Sequence, residues 1–466
     1  PNSLYAGMFI AVGTFLLTLV ALAGFSIDTP AYQFIEDIYW FELPSLAHNG
    51  EDRLIRYTLG VDAISLSLMI VVAGFTLASL VGSLDDPRAR VGKYVGLILL
   101  SESLMLGALA SMDTFLFVVF YGACAIPLCF LIGIWGREAR ARAASAWLLS
   151  DLLATGVIAV SVLYLFANAG SQTVEVTEVT RRLLPVEPAY IGGLLSICFA
   201  LRAPLPPFHR WSIFAQQQAP KAGFILVSAL LPCLSVYGFI RLAAPMLPAQ
   251  STLFLTTVLS GILAAGVYCF VKVIDSADYR GRLPWISALH IQLAILYAFI
   301  FAETGRAGVV ILLVVHAFCL CGLILLSEPA ATAVDTADRP AVLARRHRVV
   351  TVLLSIIFLM GVCTLPPTIG FAVVKSGFSA SNSPLIHIVG IGMLIGLNLL
   401  GAIYVILDAR RAAVDHSGSR RSSVATLHLP FLLCVLFASL SLFPESLMRF
   451  LGQAALIPSI SSFGNG

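Results

Sequence analysis

The chain has 466 residues, 59% of them hydrophobic and 11% charged, with a formal net charge of +3 and a mean hydropathy of +0.94. An ordinary soluble domain carries about 25% charged residues, so this composition excludes a water-soluble globular protein and points to an integral membrane protein. The small net charge, its arginines scattered among short connections, excludes a nucleic-acid-binding surface.

A hydrocarbon core of about 30 Å asks for about 20 apolar residues per helical span. On that count spans are expected at 4–24, 61–83, 91–111, 113–135, 143–167, 189–203, 221–243, 252–274, 285–303, 306–326, 348–364, 366–380, 384–408 and 425–443. The fold class is therefore an all-α polytopic membrane protein of about 14 transmembrane helices. The run Leu4–Gly24 has no basic segment before it and no small-residue cleavage site after it, which reads as a retained span. The longest polar connection, 25–60, has the Pro, Gly and aromatic content of a small hairpin at one surface.

Basic residues cluster in the connections 84–93, 136–142 and 327–348. With these spans all three lie on one side, which the positive-inside rule makes cytoplasmic, together with the amino terminus. The connection 409–424, with Arg410, Arg411, Arg420 and Arg421, falls on the other side. A miscounted span near 366–384 would reconcile it. Nine cysteines fall in or beside apolar runs and none shows zinc or haem spacing, so they are expected to be buried, inert thiols. With no cysteine set and no dinucleotide fingerprint, the chain is expected to hold no cofactor of its own.

The stretch LRAPLPPFHRWSIFAQQQAP (201–220) concentrates polarity in a hydrocarbon-rich chain. Pro204, Pro206 and Pro207 end one span, and Pro220 sits at the tolerated early position of the next helix. Two further interruptions occupy corresponding places in the two halves: SALLPCLSVYG with Pro232, and LPPTIGFAVVKSGFSA with Lys375. Broken helices at matching positions are the sequence-level sign of an inverted-repeat transporter and its ion path.

A charged side chain at mid-bilayer costs roughly 2.5–3.5 kcal/mol on insertion scales and therefore needs a partner, water or a function. Glu102, Asp151, Lys375, His290, His316 and His387 lie within or near spans. His209, in the polar stretch, joins them as a possible relay. Arg241 and Lys272 lie near span ends, where long side chains snorkel, and DSADYRGR (275–282) reads as an aqueous loop.

Six segments in order then resemble one family. LGVDAISLSL (59–68), the run from Glu102 to Gly136, HRWSIFAQQQAPKAG (209–223), DYRGRLPWISALH (278–290), LPPTIGFAVVKSGF (365–378) and LSLFPESL (440–447) are similar to the antiporter-like, proton-translocating membrane subunits of respiratory complex I and related ion-pumping complexes, with the subunit M branch the nearest pattern. The resemblance implies repeats at 113–284 and 285–408, flanked by an N-terminal part (1–112) and a C-terminal part (409–466). It implies other membrane subunits of a hetero-oligomeric complex as partners and a bacterial inner membrane as location. The parent complex would use NADH, FMN, iron-sulfur clusters and a quinone.

The departures from the family pattern are equally specific. Where the family carries an essential carboxylate after an aromatic residue, this chain has Tyr121-Gly122, and where it presents a lysine, this chain has Leu230, Leu231 and Pro232. A further family lysine aligns with Arg280, which does not release its proton. The glutamate usual to subunit M on its twelfth helix is replaced near Lys375. The expected proton path therefore lies in Lys375, Glu102, His290, His316 and His209, with the first-half path lost or moved. Two other readings share the fold: a non-conducting structural subunit of such a complex, and the membrane subunit of a bicarbonate-uptake or multisubunit cation/proton antiporter complex.

Overall fold

The computed structural model describes residues 2–26, 32–43, 53–84, 90–169, 187–247, 252–276, 279–300, 306–327, 341–366, 368–380, 392 and 425–442. The expected span 384–408, the candidate His387 and the basic connection 409–424 lie outside them. The described chain is mostly helical, and eight of its helical stretches are long and apolar enough to cross a membrane; shorter apolar helices cover Ala189–Arg202, Val350–Val362 and His428–Ser441.

The first helix, α1 (Asn2–Gly24), leads into the hairpin expected in the long polar connection. Strands β1 (Gln33–Leu43) and β2 (Arg53–Val61) pair antiparallel from Gln33 opposite Val61 to Leu43 opposite Arg53, with irregularities between Gln33 and Glu36 and between Tyr39 and Phe41. Asp37 accepts from Arg56 at 2.6 Å and from Thr58 at 3.0 Å across the strands. Trp40 and Phe41 meet Phe115 edge-on at 6.3 and 6.0 Å, which seats the hairpin over the start of a later helix.

Helix α2 (Ala63–Val81) begins at a reciprocal cap: the Asp62 carboxylate accepts from the Ser65 amide while the Ser65 hydroxyl receives the Asp62 amide. Such a box satisfies two of the orphan donors at a helix start. Helix α3 (Val91–Ala110) follows, then α4 (Thr114–Ala123), capped by Asp113, and α5 (Ala125–Trp135). Pro127 offers no amide to the carbonyl of Ala123, and the apolar stretch is interrupted at Cys124 for that reason. Helices α6 (Arg140–Ala169), α7 (Glu187–Arg202) and α8 (Arg210–Gln218) come next.

The centre of the molecule is α9 (Lys221–Met246), buried from Lys221 to Ala243. The interruption expected at Pro232 takes the form of a distortion of this continuous helix. Residues Leu226–Leu230 are π-helical, Leu231–Gly238 are α-helical, Phe239–Ala243 are π-helical again, and Ala244–Met246 close as a 3₁₀ turn. Proline removes an amide donor and crowds the preceding turn, and a wider turn relieves both. Against α9 pack α2, α7, α11 (Tyr279–Ile300) and α12 (Arg306–Ser327), while α10 (Thr252–Asp275) packs on α11, and α13 (Ala341–Val362), α14 (Ile369–Ala380) and α15 (Ala425–Leu442) pack on α12. In the second half the interruption falls at 363–368, before Lys375 rather than at it.

Helices α1, α6 and α10 leave Phe9, Val20, Leu153, Val160, Val267 and Val271 exposed. An apolar exterior around an equally apolar interior is the arrangement lipid solvates. The stretch read as an aqueous loop behaves otherwise: α11 starts at Tyr279, and both Arg280 and Arg282 are buried. Arg280 donates to the carbonyls of Gln217 and Ala219, and Arg282 to that of Ser276 at 2.8 Å. Arg280 sews the stretch at 217–219 to the start of α11, because a guanidinium has donors enough to satisfy several carbonyls at once, and Arg282 ties the same helix start back to Ser276.

Candidate functional site

The polar core of the molecule is organised by a missing hydrogen. In a regular helix the amide of residue 232 would donate to the carbonyl of Ser228; Pro232 has no such hydrogen. Two side chains take its place. The Ser287 hydroxyl on α11 donates to the Ser228 carbonyl at 3.0 Å, and Nε2 of His316 on α12 lies 3.0 Å from the same oxygen. A carbonyl only accepts, so this bond assigns the His316 hydrogen to Nε2 and leaves Nδ1 as a bare acceptor. Nδ1 has no hydrogen-bond partner among the described residues.

His290 stacks on His316, their ring centroids 5.4 Å apart at 21°. Both rings are fully buried, and neither nitrogen of His290 is partnered among the described residues. Two stacked imidazoles with an open acceptor and two open ring nitrogens form a place where a proton can be taken up and passed on. Sequence reasoning singled out both histidines, and the structure brings them together.

The other candidates stand apart. Glu102 is buried on α3, and its Oε1 is unpartnered among the described residues. His209 immediately precedes α8, its ring 5.2 Å from that of Tyr268 and 5.0 Å from that of Trp285. Burial first, and the neighbouring Arg210 second, hold the His209 imidazole below its ordinary value of 6.5. Lys375 is on an exposed face of α14, while its neighbours Val373 and Val374 are buried.

Two buried ion pairs went unread in the sequence. Arg241 is buried and paired with Asp62, the residue that caps α2. The expectation that it snorkels is thus corrected, because Arg241 is on the second π-helical segment of the buried α9 and its head cannot reach water. Lys272, by contrast, is a partly exposed partner of Asp275 at 3.3 Å. The second pair joins Asp151 of α6 to Arg202 at the end of α7, at 2.7 Å with both side chains fully buried. Asp151 drew notice as a charge within a span, but its partner lies in the polar stretch at 201–220, whose arginine reads locally as a helix end.

A bundle of apolar helices around a π-distorted central helix, with histidines and ion pairs sealed in its interior, defines a polytopic membrane protein. Residues 111–396 match the family described as NADH:quinone oxidoreductase/Mrp antiporter, transmembrane. The chain belongs to that family. It is 26% identical over 325 residues to NADH-quinone oxidoreductase subunit M of Rickettsia prowazekii, covering 70% of this chain and 64% of that protein. The chain thus spans just under two thirds of the length of that relative. In fold it resembles a chain of respiratory complex I from Thermus thermophilus, with a TM-score of 0.78 at 21% identity, covering 98% of this chain and 94% of that one. It also resembles a chain of the Mrp complex from Dietzia, with a TM-score of 0.70 at 17% identity over 98% and 92% of the two chains.

Proposed function

We propose that the chain is the subunit-M-like member of the membrane arm of a complex I-like NADH:quinone oxidoreductase, in a bacterial inner membrane. Its fold consists of two inverted antiporter-like repeats within about 14 spans, and its partners are the other membrane subunits of that assembly. NADH, FMN, iron-sulfur clusters and quinone belong to those other subunits. The observation that carries the reading is the family match across the central helices, together with relatives named as subunit M.

The proton path runs through the stacked imidazoles of His290 and His316, with Lys375, Glu102 and His209 as its further members. The first-half path of the family pattern is degenerate or moved, since Gly122 and Pro232 offer no titratable group where that pattern has a carboxylate and a lysine. These two residues also favour a second reading, a structural subunit that holds an antiporter's place without conducting. The subunit-M relatives weigh against a bicarbonate-uptake or cation/proton antiporter assignment, although the fold is shared with a chain of an Mrp complex.

Affinity purification through this chain, with identification of the co-purifying subunits, tests the assembly. NADH-binding and iron-sulfur subunits are expected; cation-antiporter subunits alone would overturn it. In the reconstituted complex, Lys375→Ala should lower the protons moved per electron, and an unchanged ratio would remove Lys375 from the path.

A further inference from the structure

A cluster between α4, α6 and α7 lies apart from the imidazole pair. Its centre is the Arg202 guanidinium, whose Nε is 2.7 Å from Oδ1 of Asp151. The cation is also held without that carboxylate. Nη2 donates to the Tyr121 carbonyl at 3.0 Å, Nη1 donates to the Thr155 hydroxyl at 3.3 Å, and the guanidinium carbon is 3.5 Å from the centroid of the Tyr121 ring. Asp151 has no comparable support. Apart from the ion pair, neither of its oxygens has a hydrogen-bond partner among the described residues.

This asymmetry decides which member can change state. Protonating Asp151 would leave Arg202 with a carbonyl, a hydroxyl and an aromatic face, so the buried cation stays housed. Arginine itself does not release its proton. Nor is the pair explained by stability, because a buried ion pair is often no better than apolar residues of the same volume, whereas ionisable groups inside spans are functional by default.

The surroundings connect the pair to the rest of the core. A Cβ placed on Gly122 would run into the methyl of Thr155, which is one turn from Asp151 on the same face of α6. Position 122 therefore packs directly against α6, one turn from Asp151. The Tyr121 hydroxyl donates to Ser235 at 2.9 Å, and Ser235 donates to the carbonyl of Leu231 at 3.0 Å, beside Pro232.

We propose that Asp151 is the proton-carrying acid of the first half, with Arg202 as its positioning counter-charge. In each cycle the carboxylate takes up one proton and releases one, so the site alternates between a neutral ion pair and a neutral acid beside a single cation. The proposal rests on the reading of the chain as a subunit of a proton-translocating complex.

The test uses the intact complex in proteoliposomes, with protons per electron read by a pH-sensitive dye and carboxyl bands read by infrared difference spectroscopy between rest and turnover. Asp151→Asn is expected to move fewer protons per electron and to lose one protonated-carboxyl band. Asp151→Glu should keep the ratio and shift that band. Arg202→Lys, which keeps a cation without the fork, should keep the band and shift the pH at which it forms; an unmoved pH would overturn the role of Arg202. An unchanged ratio or an unchanged band in Asp151→Asn overturns the proposal. If that variant does not assemble, a band unmoved in Asp151→Glu does so instead. A wild-type purification that brings down no NADH-binding subunit overturns the parent reading, and the proposal with it, before any variant is made.

Discussion

Pro232 withholds from the Ser228 carbonyl the amide that a regular α-helix would supply, and the polar core assembles on that oxygen. The carbonyl receives Ser287 and His316, each at 3.0 Å. A buried carbonyl stripped of its donors costs about 1–3 kcal/mol. The double variant Ser287→Ala/His316→Leu should therefore lose about that much stability in detergent unfolding. Adding Pro232→Ala returns an amide to the helix and should recover most of the loss. Failure to recover would mean that Ser228 is not the shared acceptor.

The pair between Asp62 and Arg241 should be costly to break and cheap to replace. Arg241→Met leaves an unpaired buried carboxylate, a loss of about 3–5 kcal/mol. The further change Asp62→Asn removes that charge while keeping an oxygen for the Ser65 amide, and it should restore most of the stability. Thermal unfolding of the two variants side by side checks this, and equal melting temperatures would show that the charge is not the cause.

Position 122 admits no side chain against the present α6. Gly122→Ala drives its new methyl into that of Thr155, an overpacking that costs about 1–3 kcal/mol. Thr155→Ser deletes the obstructing methyl and retains the hydroxyl that accepts from Arg202. The pair Gly122→Ala/Thr155→Ser should melt near Thr155→Ser alone.

His209 makes stability depend on pH. Because burial holds its folded-state value below 6.5, the unfolded chain binds the extra proton first as acid is added. Stability is full above about pH 6.5 and declines as pH falls from there to the folded value. His209→Phe keeps a ring between Tyr268 and Trp285 and removes the titration. The slope of melting temperature between pH 7 and 5 should be shallower in this variant, and an equal slope would assign the effect to other groups.

Much of the helical layout can be read from apolar run lengths, because each span must satisfy its own backbone in lipid. The hairpin at 33–61 follows from a polar connection too long for a simple turn. His290 and His316 are conspicuous as imidazoles within apolar runs, yet nothing in the sequence says that they stack, since they stand 26 positions apart on two different helices. The ion pairs were harder still. Arg202 and Arg241 each stand near the end of an apolar run, where a local reading sends a long side chain to water. Only the packing of α6 and α2 against them reveals carboxylates 51 and 179 residues away. In the same way Arg280 and Arg282 look hydrated in sequence, because the carbonyls that receive them carry no sequence signature.

The ends of α9 have a consequence for how the core can move. Lys221 donates to the carbonyl of Gly82 at 3.0 Å, just past the end of α2, and Arg241 pairs with Asp62 at the start of α2. The two helices run antiparallel over about 30 Å, riveted at both ends by a cation. A rod fixed so cannot slide like a piston; it can only bow. The π-helical turn beside Pro232, to which Ser287 and His316 attach, lies between those two anchors, so the carbonyl they share belongs to an irregular stretch of a rod held at both ends.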